Sequence, residues 1–158
     1  MYECAMHLVN VLQALLTPTI GAITAYIAWR QYHDDKVKLD LDRYEKRLVA
    51  YKAVRAFLSD VVGTAQVKTE DIRRLRIETS EVGFLFGQDI PDFIKDLVKH
   101  GVSLGAANDS YRDMNAPEPA PAGYDHAVIV KTKYDELLWL NEQFEIAEKK
   151  FGKYLNVS

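Results

Sequence analysis

Few side chains in this sequence are of a type and spacing that could do chemistry. The four histidines stand at positions 7, 33, 100 and 126. No two are three or four apart, the spacing with which one helix face offers two imidazoles to zinc. His33-Asp34-Asp35 sets an imidazole beside two carboxylates, the residue types of a metal or acid–base site. In so polar a stretch the plainer reading is a hydrated turn. The single cysteine, Cys4, excludes an intrachain disulfide and a cysteine-based metal cluster. Gly83-Phe84-Leu85-Phe86-Gly87 has the glycines of a phosphate loop but not the Lys and Ser/Thr that must follow them. No catalytic, cofactor-binding or metal-ligating residue is expected, and no serine is expected to act as a nucleophile. A net charge of −3 leaves no basic excess for a phosphate backbone, so no nucleic-acid partner is expected.

What must be positioned is therefore apolar surface. Between Glu3 and Arg30 there is no Asp, Glu, Lys or Arg, and about 20 such residues suffice to cross a bilayer core. The stretch ends in Tyr26-Ile27-Ala28-Trp29-Arg30-Gln31-Tyr32, rings followed by a cation, as at a membrane interface. Cations then gather on one side only, at Arg30, Lys36, Lys38, Arg43, Lys46 and Arg47. The positive-inside rule places the N-terminus outside and the body in the cytoplasm. The expectation is a single transmembrane helix in residues 1–30, with a helical domain in 31–158. His7, Asn10, Gln13, Thr17, Pro18 and Thr24 dilute the hydrophobicity of the segment. Thr17-Pro18 predicts a helix restart or a kink.

Asn10, Gln13, Thr17, Gly21 and Thr24 recur every three or four residues and share one helix face. In lipid, small and polar residues so placed let helices approach and pair their polar groups. They predict membrane-helix packing, with a homo-oligomer as partner; an alternative is a small oligomeric pore built on the same stripe.

The body reads as all-α. Val37, Leu41, Tyr44, Leu48, Tyr51, Val54, Leu58, Val61 and Ala65 step by three and four, the mark of a long amphipathic helix continuing the anchor. Thr69, with Glu70 and Asp71 behind it, reads as a new N-cap. That helix carries Ile72, Leu75, Thr79, Val82 and Phe86 and is predicted to end at Gly87 in a left-handed C-cap. Asp89-Ile90-Pro91 opens a third helix with Phe93, Ile94, Leu97, Val98 and Leu104 on its apolar face. Three prolines make residues 115–123 a loop. A last helix is predicted from about Asp125, with Ala127, Val130, Tyr134, Leu137, Phe144, Ala147, Phe151 and Tyr154 on one face. The sum is a four-helix bundle. At its corner Phe84-Leu85-Phe86 sets three large apolar side chains in a row, so at least one must point away from its own helix's stripe and either plugs the neighbouring helix or contacts a protein partner; Phe84, Phe86 and Ile90 are the candidate docking corner.

These residues resemble a widespread family of small uncharacterised bacterial proteins with one N-terminal membrane helix and a helical cytoplasmic body. The resemblance is carried by Tyr26-Ile27-Ala28-Trp29-Arg30-Gln31, Lys38-Leu39-Asp40-Leu41-Asp42, Lys46-Arg47-Leu48-x-x-Tyr51-x-x-Val54, Phe84-Leu85-Phe86-Gly87-x-Asp89-Ile90, Trp139-Leu140-x-x-Gln143 and Phe151-x-x-Tyr154-Leu155. It covers nearly the whole chain apart from the proline-rich loop. It implies a single-pass protein of the bacterial inner membrane, and it implies no reaction, cofactor or metal. Where members of that family often carry Phe, this chain has Tyr44.

Overall fold

The computed structural model describes residues 2–113, 121 and 123–155, with side chains from Pro18 onward. Every regular element among the described residues is a helix: α1 (Tyr2–Thr64), α2 (Thr69–Glu78), α3 (Val82–Leu85), α4 (Asp89–Ser110) and α5 (His126–Leu155). The chain divides into two units, Met1–Asp42 and Arg43–Ser158.

In the first unit Pro18 lies inside α1, and the restart predicted at Thr17-Pro18 does not occur. An interior proline deletes one ladder bond and costs roughly 3 kcal/mol, which the helical turns on either side outweigh. Asn10, Gln13 and Thr17 lie outside the described side chains, as does the first half of the stretch read as spanning. From Pro18 only a dozen residues precede the charge of Arg30, with Thr19, Gly21 and Thr24 among them. Among the described residues no helix is long and apolar enough to cross a membrane. Gly21 and Thr24 are exposed, and the Thr24 hydroxyl donates to the Ile20 carbonyl at 2.8 Å.

The second unit buries one core against which all five helices place side chains. α1 contributes Ala50, Val54, Phe57, Leu58 and Val61; α4 contributes Ile90, Phe93, Ile94, Leu97, Val98 and Leu104; α5 contributes Leu140, Ala147 and Phe151. Val67 between α1 and α2, Leu75 of α2 and Val82 of α3 complete it. The apolar periodicity read from the sequence begins earlier than the burial does: Val37 and Leu41 are exposed, and full burial starts at Ala50. α4 follows its predicted stripe and continues through Gly101, which is buried. A Cβ there would stand 3.1 Å from the Phe57 ring, so the missing side chain lets α4 approach α1.

Helix ends account for the other differences. Lys68, not Thr69, is the N-cap of α2, and the Asp71 carboxylate accepts the Lys68 backbone N–H at 2.9 Å, half of a capping box. α2 stops at Glu78, since the buried Thr79 turns its hydroxyl back on the Leu75 carbonyl at 2.7 Å. The single helix predicted to Phe86 is therefore two, α2 and the one-turn α3. Gly87 is not left-handed; Gly123 is the one positive-φ glycine among the described residues. Asp125 caps α5, its carboxylate accepting the Ala127 and Val128 N–H groups at 3.0 and 3.2 Å. The first third of α5 departs from its predicted face, with Ala127, Val130 and Tyr134 exposed and burial complete only from Leu140.

Candidate functional site

The corner between α3 and α4 separates the three residues singled out there. Ile90 is fully buried in the core. Phe86 is half-buried, edge-on to Phe151 and Tyr154 with ring centroids 5.2 Å apart in each pair. Phe84 is 93% exposed. The physical reason is the one-turn length of α3. Val82 faces inward, so the residue two further on faces out. Of the three, Phe84 points away from the packing of the unit, whereas Phe86 and Ile90 are part of that packing.

The backbone that carries Phe84 is held firmly. Arg47, from α1, donates through Nε to the Leu85 carbonyl at 2.9 Å and through Nη1 to the Tyr154 carbonyl at 3.3 Å. Its guanidinium lies over the Phe86 and Tyr154 rings, 5.8 and 5.7 Å from their centroids. Hydrogen bonds from a charged donor each contribute about 1.5–3 kcal/mol. On the other side the Tyr154 hydroxyl donates to Asp89 Oδ1 at 2.7 Å and accepts the Gly87 N–H at 3.3 Å. This hydrogen bond holds the Asp89 carboxyl below the usual carboxylate range and the Tyr154 phenol above its ordinary value. A Cβ on Gly87 would sit 2.7 Å from the Tyr154 hydroxyl. Glycine is needed there for close approach, not for a turn. Lys46 and Glu81, 3.5 Å apart at the surface, add a loose tie. The result is a bare aromatic ring on a pinned backbone.

A second polar contact, between α4 and α5, could not be read from helix spacing. His100 Nδ1 is 2.6 Å from Glu136 Oε2, and the imidazole stacks on Trp139 at 3.6 Å between centroids. His100 is on α4 and Glu136 on α5, so only the packing of those helices brings them together. Directly after His100, Gly101-Val102-Ser103-Leu104-Gly105 has the letter spacing of a nucleophile elbow. An elbow requires a sharp strand-to-helix turn that thrusts the serine outward. Here the five residues lie inside α4, with Gly101 packed on Phe57. The His100–Glu136 pair works as a polar tie between α4 and α5.

An open cleft of about 760 Å³ is lined by Val67, Lys68, Ile72, Arg76, Gly105 and Asn108, among others. Asn108 Nδ2 donates to the Ala65 carbonyl at 3.4 Å, and its buried Oδ1 has no partner. The charged residues along this cleft are Lys68, Arg76 and Asp109, two cations and one acid. Among the described residues no group of three or more His, Cys, Asp or Glu side chains could hold a metal ion. His33, Asp34 and Asp35 are exposed, and His33 stacks at 6.4 Å on Trp29. The flanks of the proline-rich loop, 115–123, are joined by Tyr124, whose hydroxyl accepts the Arg112 N–H at 3.0 Å and lies 3.1 Å from His126 Nδ1. Most of that loop is outside the described residues.

In the first unit Ile20, Ile23 and Ile27 recur every three or four residues, each about half exposed. The rings follow at once, Tyr26 to Trp29 at 6.3 Å and Trp29 to His33 at 6.4 Å, with Tyr32 exposed beside them. Compared with family models, with curated proteins and with solved structures, the chain matches none.

Proposed function

We propose that this chain is a membrane-tethered helical interaction module, with no reaction of its own, belonging to the bacterial family it resembles. In this reading the N-terminal segment spans the inner membrane once, the C-terminal body lies in the cytoplasm, and Phe84 is the contact offered to a protein partner. The observation that carries it is the row Ile20, Ile23 and Ile27, apolar and uncovered, running directly into Tyr26, Trp29 and Tyr32 and then Arg30. Removing the exposed half of each isoleucine from water is worth about 1 kcal/mol. A bilayer offers that removal together with an interface for the rings.

Self-association of the segment is the second part of the proposal. Nothing stands within 4 Å of the place a Cβ on Gly21 would take, and Thr24 satisfies its own hydroxyl within the helix. A small, internally satisfied face suits close helix approach. It suits the lining of a pore less well, which ranks the pore-forming alternative second.

The test is extraction of membranes from cells making the full chain. Alkaline carbonate leaves the chain in the pellet and detergent releases it. Recovery as a folded monomer in the carbonate supernatant removes the tether. For the partner surface, Phe84→Ser lowers crosslinking to a neighbouring protein while the helical circular dichroism stays as in wild type.

A further inference from the structure

We infer that the open cleft between α2 and α4 binds a small organic monocarboxylate, one anionic end on an apolar body. The inference goes beyond the interaction reading and is independent of the membrane segment, since every residue of the cleft lies in the second unit. The two helices pass antiparallel: a Cβ on Gly101 would lie 3.9 Å from Ile72, and one on Gly105 would lie 4.0 Å from Val67. Between them about 760 Å³ is left open, the size of a small-molecule site. Val67, Ile72, Val102 and Ala106 give it apolar walls.

Its charges are Lys68 and Arg76 against Asp109. Lys68, Ile72 and Arg76 are four apart and share one face, so a cation stands on either side of an apolar side chain. α2 neutralises its other cations itself, Arg73 on Glu70 and Arg74 on Glu78. The Asp71 carboxylate is taken by the Lys68 backbone N–H. The Lys68 ammonium and the Arg76 guanidinium have no ion pair among the described residues. Helix stability does not account for Lys68, because a cation is unfavourable at a helix start. Across residues 66–78 and 99–113 the charges outside the cleft are four cations and four carboxylates, so its excess of one positive charge stands. The Arg76 fork matches a carboxylate with two parallel hydrogen bonds, and Lys68 adds a third donor. Asp109 repels a second negative charge, which favours a monoanion over a dicarboxylate or a phosphate ester.

The experiment is a fluorine NMR titration of para-fluorobenzoate into the full chain held in phosphatidylcholine nanodiscs, with empty nanodiscs as the reference for partition into lipid. The expected result is saturable line broadening, with the neutral isostere para-fluorobenzamide binding about tenfold more weakly. Lys68→Gln/Arg76→Gln weakens the carboxylate about tenfold, and Asp109→Asn tightens it about threefold. A gain of affinity cannot come from loss of folding. Equal binding of carboxylate and amide, no saturable binding by wild type, or both variants binding as wild type does overturns the inference. Each of these outcomes leaves the tether standing, which carbonate extraction tests separately.

Discussion

Two stretches of α1 carry the same kinds of apolar side chain at the same helical spacing and treat them in opposite ways. In the first unit Ile20, Ile23, Ile27, Val37 and Leu41 keep between 48% and 56% of their surface exposed, whereas Val54, Leu58 and Val61 in the second unit keep none. Helix propensity and periodicity do not separate the two stretches. What separates them is the presence of a partner. Val54, Leu58 and Val61 meet α4 and α5 in one core, and among the described residues of the first unit α1 is the one helix. An amphipathic pattern predicts that a face will be covered; it does not say whether the cover is the same chain, a second chain or lipid.

The comparison can be broken by substitution. Leu97→Ala removes a fully buried side chain from the bundle core and should cost about 2–5 kcal/mol in thermal or urea unfolding. Ile23→Ala, measured identically without membrane, should stay within about 0.5 kcal/mol of wild type. Equal losses at the two sites would mean that the first unit has a cover of its own. The glycines give a second contrast. Gly101→Ala presses a methyl group toward Phe57 and should cost about 1–3 kcal/mol. Gly21→Ala meets open space and should gain up to about 1 kcal/mol through helix propensity.

At the corner that carries Phe84, pH sharpens the picture. The folded Asp89 carboxyl titrates below its ordinary range because Tyr154 donates to it. Its contribution is present above about pH 4 and is lost as pH falls through the lowered value. The Tyr154 phenol is raised by the same hydrogen bond, so its share is present below about pH 10 and is lost as pH rises through the raised value. Tyr154→Phe should therefore lower the melting midpoint between those limits, and the gap from wild type should close on the acid and the alkaline side. A gap independent of pH would assign the loss to packing alone. Asp125→Ala, which uncaps α5, should cost about 1 kcal/mol. Phe84→Ser, at a ring exposed to water, should have the smallest effect on folding, within about 0.5 kcal/mol.

The helical class and the stripe of α4 were legible because periodicity and the helix start agree there. Phe93, Ile94, Leu97 and Leu104 follow one face, and Asp89-Ile90-Pro91 marks its start. The division of α2 from α3 was not legible. It depends on Thr79 bonding back to Leu75 rather than on a glycine or proline. Gly87 invited a C-cap reading, yet its place is set by Tyr154, 67 residues away in sequence. The exposed ring at the corner followed from crowding alone, but which ring it would be depended on the one-turn length of α3. His100 and Glu136 are 36 residues apart on different helices, and no spacing rule on a single helix joins them. The exposure at the start of α5 was hidden for a similar reason, since its apolar residues recur regularly whether or not a neighbouring helix reaches them.

The most direct test of the contrast in α1 is a spin label at Ile23→Cys in a Cys4→Ser background, with the full chain mixed with phosphatidylcholine vesicles. If the exposed isoleucine row lies in hydrocarbon, the label relaxes faster with dissolved oxygen than with a water-soluble nickel chelate. Faster relaxation with the chelate, in the presence of vesicles, would place the row in water and contradict the tether.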